Sequence, residues 1–287
     1  MTCSRHHSQY VYHASAFALA AEFERPKQHS LPPQASTVLA GHGGHGSNNH
    51  PGLKVDGLVS FERAYSEVGG SYDDCHNIHT THAWSVLEGV NVADMLTADR
   101  VVSRMAVYCP ADDSGEASFD ITGSYFENLR IAGHQIDVEL DTKLFHDNDT
   151  YSKLIKSHQG GKKDQWLLGS CLCDESPAER KRIEDEYHAL RGMTKMVQEW
   201  KKPGKRPADL GRYRLSAANH LDLADLNKTT ELEGYGSIIC IPKFGVIRLA
   251  EMTVTRHSRT LTMFRVQMCS SGYGGGTGPT SSGSGPG

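Results

Sequence analysis

The chain has 287 residues, a formal net charge of -4 and 38% hydrophobic residues. This charge gives neither the basic field that attracts nucleic acid nor a polybasic segment for a membrane surface, and no apolar run approaches the roughly 18 residues of a membrane helix. Seven cysteines, an odd number without a CxxC pair, favour free thiols in a reducing compartment. The sequence therefore implies no nucleic-acid partner and no membrane span.

The N-terminal residues have two interpretations. Residues 10 to 23 fit a strand, but Arg5 followed by an apolar run and Ala18-Leu19-Ala20 also resembles a short signal peptide. His13 and Ser15 interrupt the apolar run, so we expect a strand and a cytoplasmic location, with export as the alternative.

Residues 24 to 52 contain four prolines and the run GHGGHGSNNH, which predicts an irregular passage. Residues 1–52 are accordingly expected to form an N-terminal strand and an irregular arm rich in His, Gly and Pro. His42 and His45 lie among glycines, where a flexible loop is a better interpretation than a pair of ligands.

Alternating apolar residues then predict a series of strands. The alternation over residues 53 to 61 predicts the first of them, a strand that Gly69-Gly70 ends. Residues 82–92 and 95–109 read as two further strands. All of these belong to an antiparallel β domain that we expect to span residues 53–270.

The most informative stretch is residues 119 to 140, which predicts a hairpin. If Gly133 and His134 form a two-residue turn, Ile131 faces Ile136, Leu129 faces Val138 and Arg130 lies opposite Asp137. A shift by one residue would exchange the two faces, so the pattern restricts the register strongly.

Helical signals are confined to residues 147–208. A short helix is expected at residues 150–157, and Ser176-Pro177-Ala178-Glu179 is a capping box before a longer one. A second hairpin follows at residues 246–255 and 260–268. The fold class is thus mainly β (α+β), an antiparallel β-sandwich-like domain with a helical insertion, and the Gly/Ser-rich residues 271–287 are expected to be a disordered tail.

Several stretches resemble a known group of proteins. They are VLEGVNVADMLTADRVVSRM at 86 to 105, SYFENLRIAGHQIDVELD at 124 to 141, and IPKFGVIRLAEM with LTMFRVQM near the C-terminus. Together they resemble an uncharacterised bacterial family whose members end in a Gly/Ser-rich tail. The EGVNV, LTADRVV and FENLRIAG patterns are also faintly similar to secreted actinobacterial domains of the choice-of-anchor kind. Neither resemblance implies an activity, a cofactor or a catalytic residue.

Histidine is concentrated in the first 82 residues, which hold ten of the sixteen. The densest group is Cys75, His76, His79 and His82, whose thiol and imidazoles suit zinc or another transition metal ion. No standard zinc spacing is met, and a strand from His82 onward would carry that residue away from the others. We therefore expect a polar loop, with a metal site as the alternative.

The remaining motifs are weak. Cys171-Leu172-Cys173 could exchange disulfides, and the basic run 201–206 could contact phosphate, but two small residues near a helix start and a solvated loop are the better interpretations. Asp94, Asp99 and Glu127 are explained by turns and ion pairs. No catalytic residue is assigned.

The leading hypothesis is a non-enzymatic structural or binding module of unknown partner, with a protein and a glycan as the candidates. One alternative is a metal-binding protein or metal-dependent enzyme that uses the histidines at 76–82. Another is a carbohydrate-binding domain, for which exposed aromatic residues such as Trp84, Trp166 or Tyr125 would have to line a groove.

Overall fold

The computed structural model describes residues 10–23, 29–55, 57–112, 115–159, 212–221, 233–235, 237–241, 244–268, 274–277 and 280–284. Within them, two large antiparallel sheets enclose a common apolar core, and only two short helices are present. The mainly β, sandwich-like fold predicted from the sequence is confirmed.

The first sheet has eleven strands, in the order β18-β19-β20-β21-β22-β2-β3, with β1, β4, β16 and β23 paired off this path. Numbered along the chain, its strands are β1 His13–Phe17, β2 Leu19–Phe23, β3 His29–Gln34, β4 Thr37–Val38, β16 Arg212–Ser216, β18 Glu233–Tyr235, β19 Ile238–Ile241, β20 Gly245–Thr255, β21 Ser258–Met268, β22 Gly274–Thr277 and β23 Thr280–Ser284.

The second sheet has ten strands, and the long antiparallel pair β9 and β10 forms its centre. Strand β8 pairs with the other side of β9, and β5 pairs with β8. The strands are β5 Gly44–His50, β6 Leu53–Val55, β7 Val59–Phe61, β8 Arg63–Asp73, β9 Ile78–Val92, β10 Leu96–Pro110, β11 Ser118–Asp120, β12 Tyr125–Glu127, β13 Arg130–Ile131 and β14 His134–Gln135. A small third sheet pairs β15 Glu139–Leu140 with β17 Ala218–His220.

The helices are α1 Thr142–Asp147 and α2 Tyr151–Gln159, the second close to the predicted short helix. Asp141 caps α1 by accepting a hydrogen bond from the backbone N–H of Leu144 at 2.8 Å. Neither helix is long and apolar enough to cross a membrane. The helix predicted to begin near Ser176 lies outside the described residues.

Two glycine-based predictions differ from the structure. Residues 53–61 form a hairpin, β6 and β7, rather than one strand, because Gly57 adopts a positive φ of +71° at the turn. Gly69-Gly70 does not end a strand, since β8 continues through both residues to Asp73. The absence of a side chain at Gly70 lets the ring of Tyr12 pack directly on the strand, because a Cβ at this position would lie 2.6 Å from that ring.

The hairpin near residue 130 has the predicted faces but a different register. Its turn is Ala132-Gly133, both with positive φ, so Ile131 pairs with His134, and Arg130 pairs with Gln135 instead of Asp137. This register differs from the predicted one by an even number of residues, so the side chains stay on their faces. Leu129 is buried as predicted. The first arm is not continuous but forms β11, β12 and β13, which all pair with β10.

The segment predicted to be an irregular arm contributes strands to both sheets. Strands β3 and β4 join the eleven-stranded sheet, and the Gly/His-rich run becomes β5 of the other sheet. Backbone hydrogen bonds to β8 hold β5, although its side chains are small and polar. The boundary predicted near residue 52 therefore does not separate the arm from the sandwich.

The C-terminal segment also differs from the prediction of disorder where the structure describes it. Strand β22 lies between β21 and β2, and β23 lies between β21 and β1. These two strands connect the N-terminal strands to the centre of the eleven-stranded sheet.

Candidate functional site: the outer face of the ten-stranded sheet

The candidate site lies on the side of β5, β8, β9 and β10 that points away from the eleven-stranded sheet, which we call the outer face. On β8, β9 and β10, the alternate residues that face inward are mostly buried, among them Val68, Ala83 and Val101. The residues between them point to the outer face. Aromatic, charged and imidazole side chains are brought together there by the strand register.

Three aromatic residues of this face form what we call the aromatic platform: Tyr65 on β8, Trp84 on β9 and Tyr125 on β12. The rings of Tyr65 and Trp84 meet edge to face, with centroids 5.4 Å apart. Tyr125 is 40% exposed. Cross-strand pairing places Val86 and Val102 between Tyr65 and Tyr125, and both valines are buried. The two tyrosines therefore flank a small apolar cluster, and Trp84 lies beside Tyr65.

Charged residues border the platform. Glu88 accepts a 2.8 Å hydrogen bond from Nε of Arg63, and its other oxygen lies 3.5 Å from Nη2 of Arg100. The hydrogen bond and the charge of Glu88 raise the pKa of Arg63. Because Glu88 lies between two guanidinium groups, it orients these donors at the edge of the platform.

A second group on the outer face consists of His45 on β5, Glu67 on β8 and His82 on β9. Oε1 of Glu67 lies 3.7 Å from Nδ1 of His45 and 3.7 Å from Nε2 of His82. One nitrogen or oxygen from each residue lies within 4.8 Å of the other two. Glu67 also pairs across the strands with Trp84, so this group adjoins the aromatic platform.

The structure does not bring together the four residues that the sequence singled out as metal ligands. Cys75 and His76 lie in the β8–β9 turn, where Nδ1 of His76 is 2.6 Å from Oδ2 of Asp73 and lowers the pKa of that carboxyl. His79 and His82 are both on β9, but residues three apart on a strand point to opposite faces. Only His82 reaches the outer face, where its neighbours come from β5 and β8.

His79 instead belongs to an aromatic cluster with Tyr10, Tyr12 and Tyr72 on the inward side of the same sheet. The ring of Tyr10 stacks on His79 with centroids 3.8 Å apart, and the hydroxyl of Tyr12 lies 2.8 Å from Nδ1. Burial lowers the pKa of His79 and raises the pKa of both Tyr10 and Tyr12. These contacts hold Tyr10 and Tyr12 against the ten-stranded sheet.

The lowered pKa of His79 predicts a pH-dependent stability. In the unfolded chain this imidazole binds a proton near pH 6.5, whereas in the folded protein it does so at a lower pH. The stabilisation of the folded state that depends on the neutral imidazole is therefore complete above about pH 6.5 and is lost on acidification. We expect the melting temperature to fall more between pH 7.5 and pH 5.5 in the wild type than in His79→Gln. The control His257→Gln, at an exposed turn, should keep the wild-type dependence. Equal slopes for all three proteins would contradict the expectation.

Comparison with known proteins places these features in a family. Residues 10–255 match the family described as Domain of unknown function (DUF8256). The chain belongs to this family. The matched range contains the aromatic platform and the histidine group, and it confirms the resemblance to an uncharacterised family. The likeness to choice-of-anchor domains stays a prediction.

The other comparisons found no further relatives. No curated protein and no solved structure matches the chain.

Proposed function

We propose that this protein is a non-enzymatic binding module that holds a carbohydrate on the outer face of its ten-stranded sheet. The observation that carries the proposal is the position of Trp84 and Tyr125. For a carbohydrate-binding domain the sequence predicts that these residues line a groove; they lie on one face of the sheet, with Tyr65 beside Trp84. Trp166, the third aromatic residue considered, lies outside the described residues.

The chemistry of the platform suits a sugar ring. Exposed aromatic rings stack on the apolar C–H face of a pyranose, while neighbouring polar groups bond its hydroxyls and determine the orientation. Arg63 and Arg100, held by Glu88, supply donors at one border, and Asn49 on β5 pairs with Tyr65 at the other. Because the three residues lie on the face of a sheet, the platform favours the flat side of an extended chain over a small enclosed sugar.

A glycan screen of the purified protein, followed by calorimetry on the best ligand, tests this function. We expect Tyr125→Ala to weaken binding at least fivefold, because stacking on an aromatic ring contributes about 1 kcal/mol. Tyr72→Ala is the matched control, since Tyr72 is 44% exposed but does not belong to the platform. Absence of binding to any glycan, or equal effects of the two substitutions, would refute the proposal.

A further inference from the structure

We propose that His45, Glu67 and His82 bind one divalent transition metal ion of the zinc, nickel or copper class. This site is separate from the aromatic platform and goes beyond the carbohydrate-binding function. It also differs from the alternative metal site that the sequence offers at Cys75, His76, His79 and His82, with which it shares only His82.

The register places the three residues on neighbouring strands of one face. His45 pairs with Gly69, and Gly69 pairs with His82, so the histidines occupy one row across β5, β8 and β9. Glu67 precedes Gly69 by two residues and therefore lies on the same face in the adjacent row. These positions are part of a continuous antiparallel sheet, which holds the backbone of all three ligands in place before an ion arrives.

Gly69 allows the two histidines to approach each other. Their Cα atoms are two strand spacings apart, about 9.6 Å, which is too far for imidazoles that stand upright on the sheet to share an ion. The ring of His82 instead leans across β8: a Cβ at Gly69 would lie 2.2 Å from Cε1 and 2.5 Å from Nε2 of His82. The imidazole of His82 thus occupies the space that a side chain at Gly69 would fill, and this position brings it closer to His45.

Two of the three donor distances are close to those around a bound ion, and the third, between the two imidazole nitrogens, is within 4.8 Å. Bonds of about 2.0–2.1 Å to a tetrahedral zinc place two donors about 3.4 Å apart. Both contacts to Oε1 of Glu67 are 3.7 Å. The side chains of His45 and His82 are 59% and 42% exposed, so small rotations can close the remaining gap without disturbing the core.

The ligand types select the class of ion. Two imidazoles and one carboxylate suit zinc, nickel, copper or iron(II), whereas calcium and magnesium prefer sets made of oxygen alone. Three protein ligands leave at least one coordination position for water or for a donor from a bound molecule. Metal binding also weakens on acidification, because protons compete for the imidazole nitrogens.

The test is equilibrium dialysis and calorimetry with zinc on untagged, full-length protein. We expect one equivalent to bind, and His45→Ala, Glu67→Gln and His82→Ala each to weaken it at least tenfold. Two matched controls, His50→Ala on β5 and His79→Ala on β9, remove a histidine from the same strands without touching the site. They should bind as the wild type does. Melting curves without metal will establish that every variant is folded.

Gly69→Ala provides the sharpest variant, because it keeps all three ligands but fills the space under His82. We expect it to weaken zinc binding at least tenfold. A measurement on the wild type needs no substitution: nickel(II) should broaden the NMR signals of the His45 and His82 imidazoles before those of other histidines. The proposal is overturned if zinc does not bind, if its uptake follows total histidine content, or if the controls weaken binding as much as the ligand variants do.

Discussion

Deleting residues 271–287 is expected to lower the melting temperature by about 6 °C or more. The deletion removes β22 and β23, which pair with β21 on one side and with β2 and β1 on the other. Each backbone hydrogen bond contributes about 1 kcal/mol net to the free energy of unfolding. Losing the pairing of both strands should therefore lower this free energy by at least about 3 kcal/mol. For a domain of this size each kcal/mol corresponds to about 2–4 °C.

The measurement is a thermal melt of the truncated chain beside two references. The full-length protein is the first, and a chain that ends at Ser284, and so keeps both strands, is the second. We expect the second to melt like the full-length protein. A shift of less than about 2 °C on removing residues 271–287 would show that the Gly/Ser-rich segment adds little to the sheet, as its composition alone predicts.

Leu129→Asp is expected to destabilise the protein by at least about 3 kcal/mol. Leu129 is 1% exposed and belongs to the apolar core between the sheets. The substitution removes a buried aliphatic side chain and puts an unpaired carboxylate in its place. Denaturant titration of both proteins will measure the difference in the free energy of unfolding.

The matched control is Arg130→Asp, one residue further along the chain. Arg130 is exposed, so the same new side chain stays in water and should change the free energy of unfolding by about 0.5 kcal/mol or less. Asn128 is a less suitable control, since its amide donates a 2.6 Å hydrogen bond to Asp99. Equal losses at positions 129 and 130 would mean that the face assigned to this segment is wrong.

The histidine group shows why sequence reasoning found only part of the candidate site. His82 was identified, but its partners are 15 and 37 residues away and come from other strands. His45 was assigned to a loop because glycine surrounds it. A usable signal was present: His45, Ser47 and Asn49 alternate with Gly46 and Asn48, and a strand would place all three on one face. Nothing in this pattern shows, however, which strand lies beside it.

The sequence by itself determined which residues face the core. Alternation has a period of two, so Leu129 and Ile131 stay buried although the hairpin turn lies one residue earlier than predicted. Only the tertiary structure decided which strands are neighbours, and this holds above all for β5, β22 and β23. Their small polar side chains carry no hydrophobic pattern, and their pairing rests on backbone hydrogen bonds that nearly every residue can make. The site at His45, Glu67 and His82 depends on that pairing, so it became visible only when the strands were assembled.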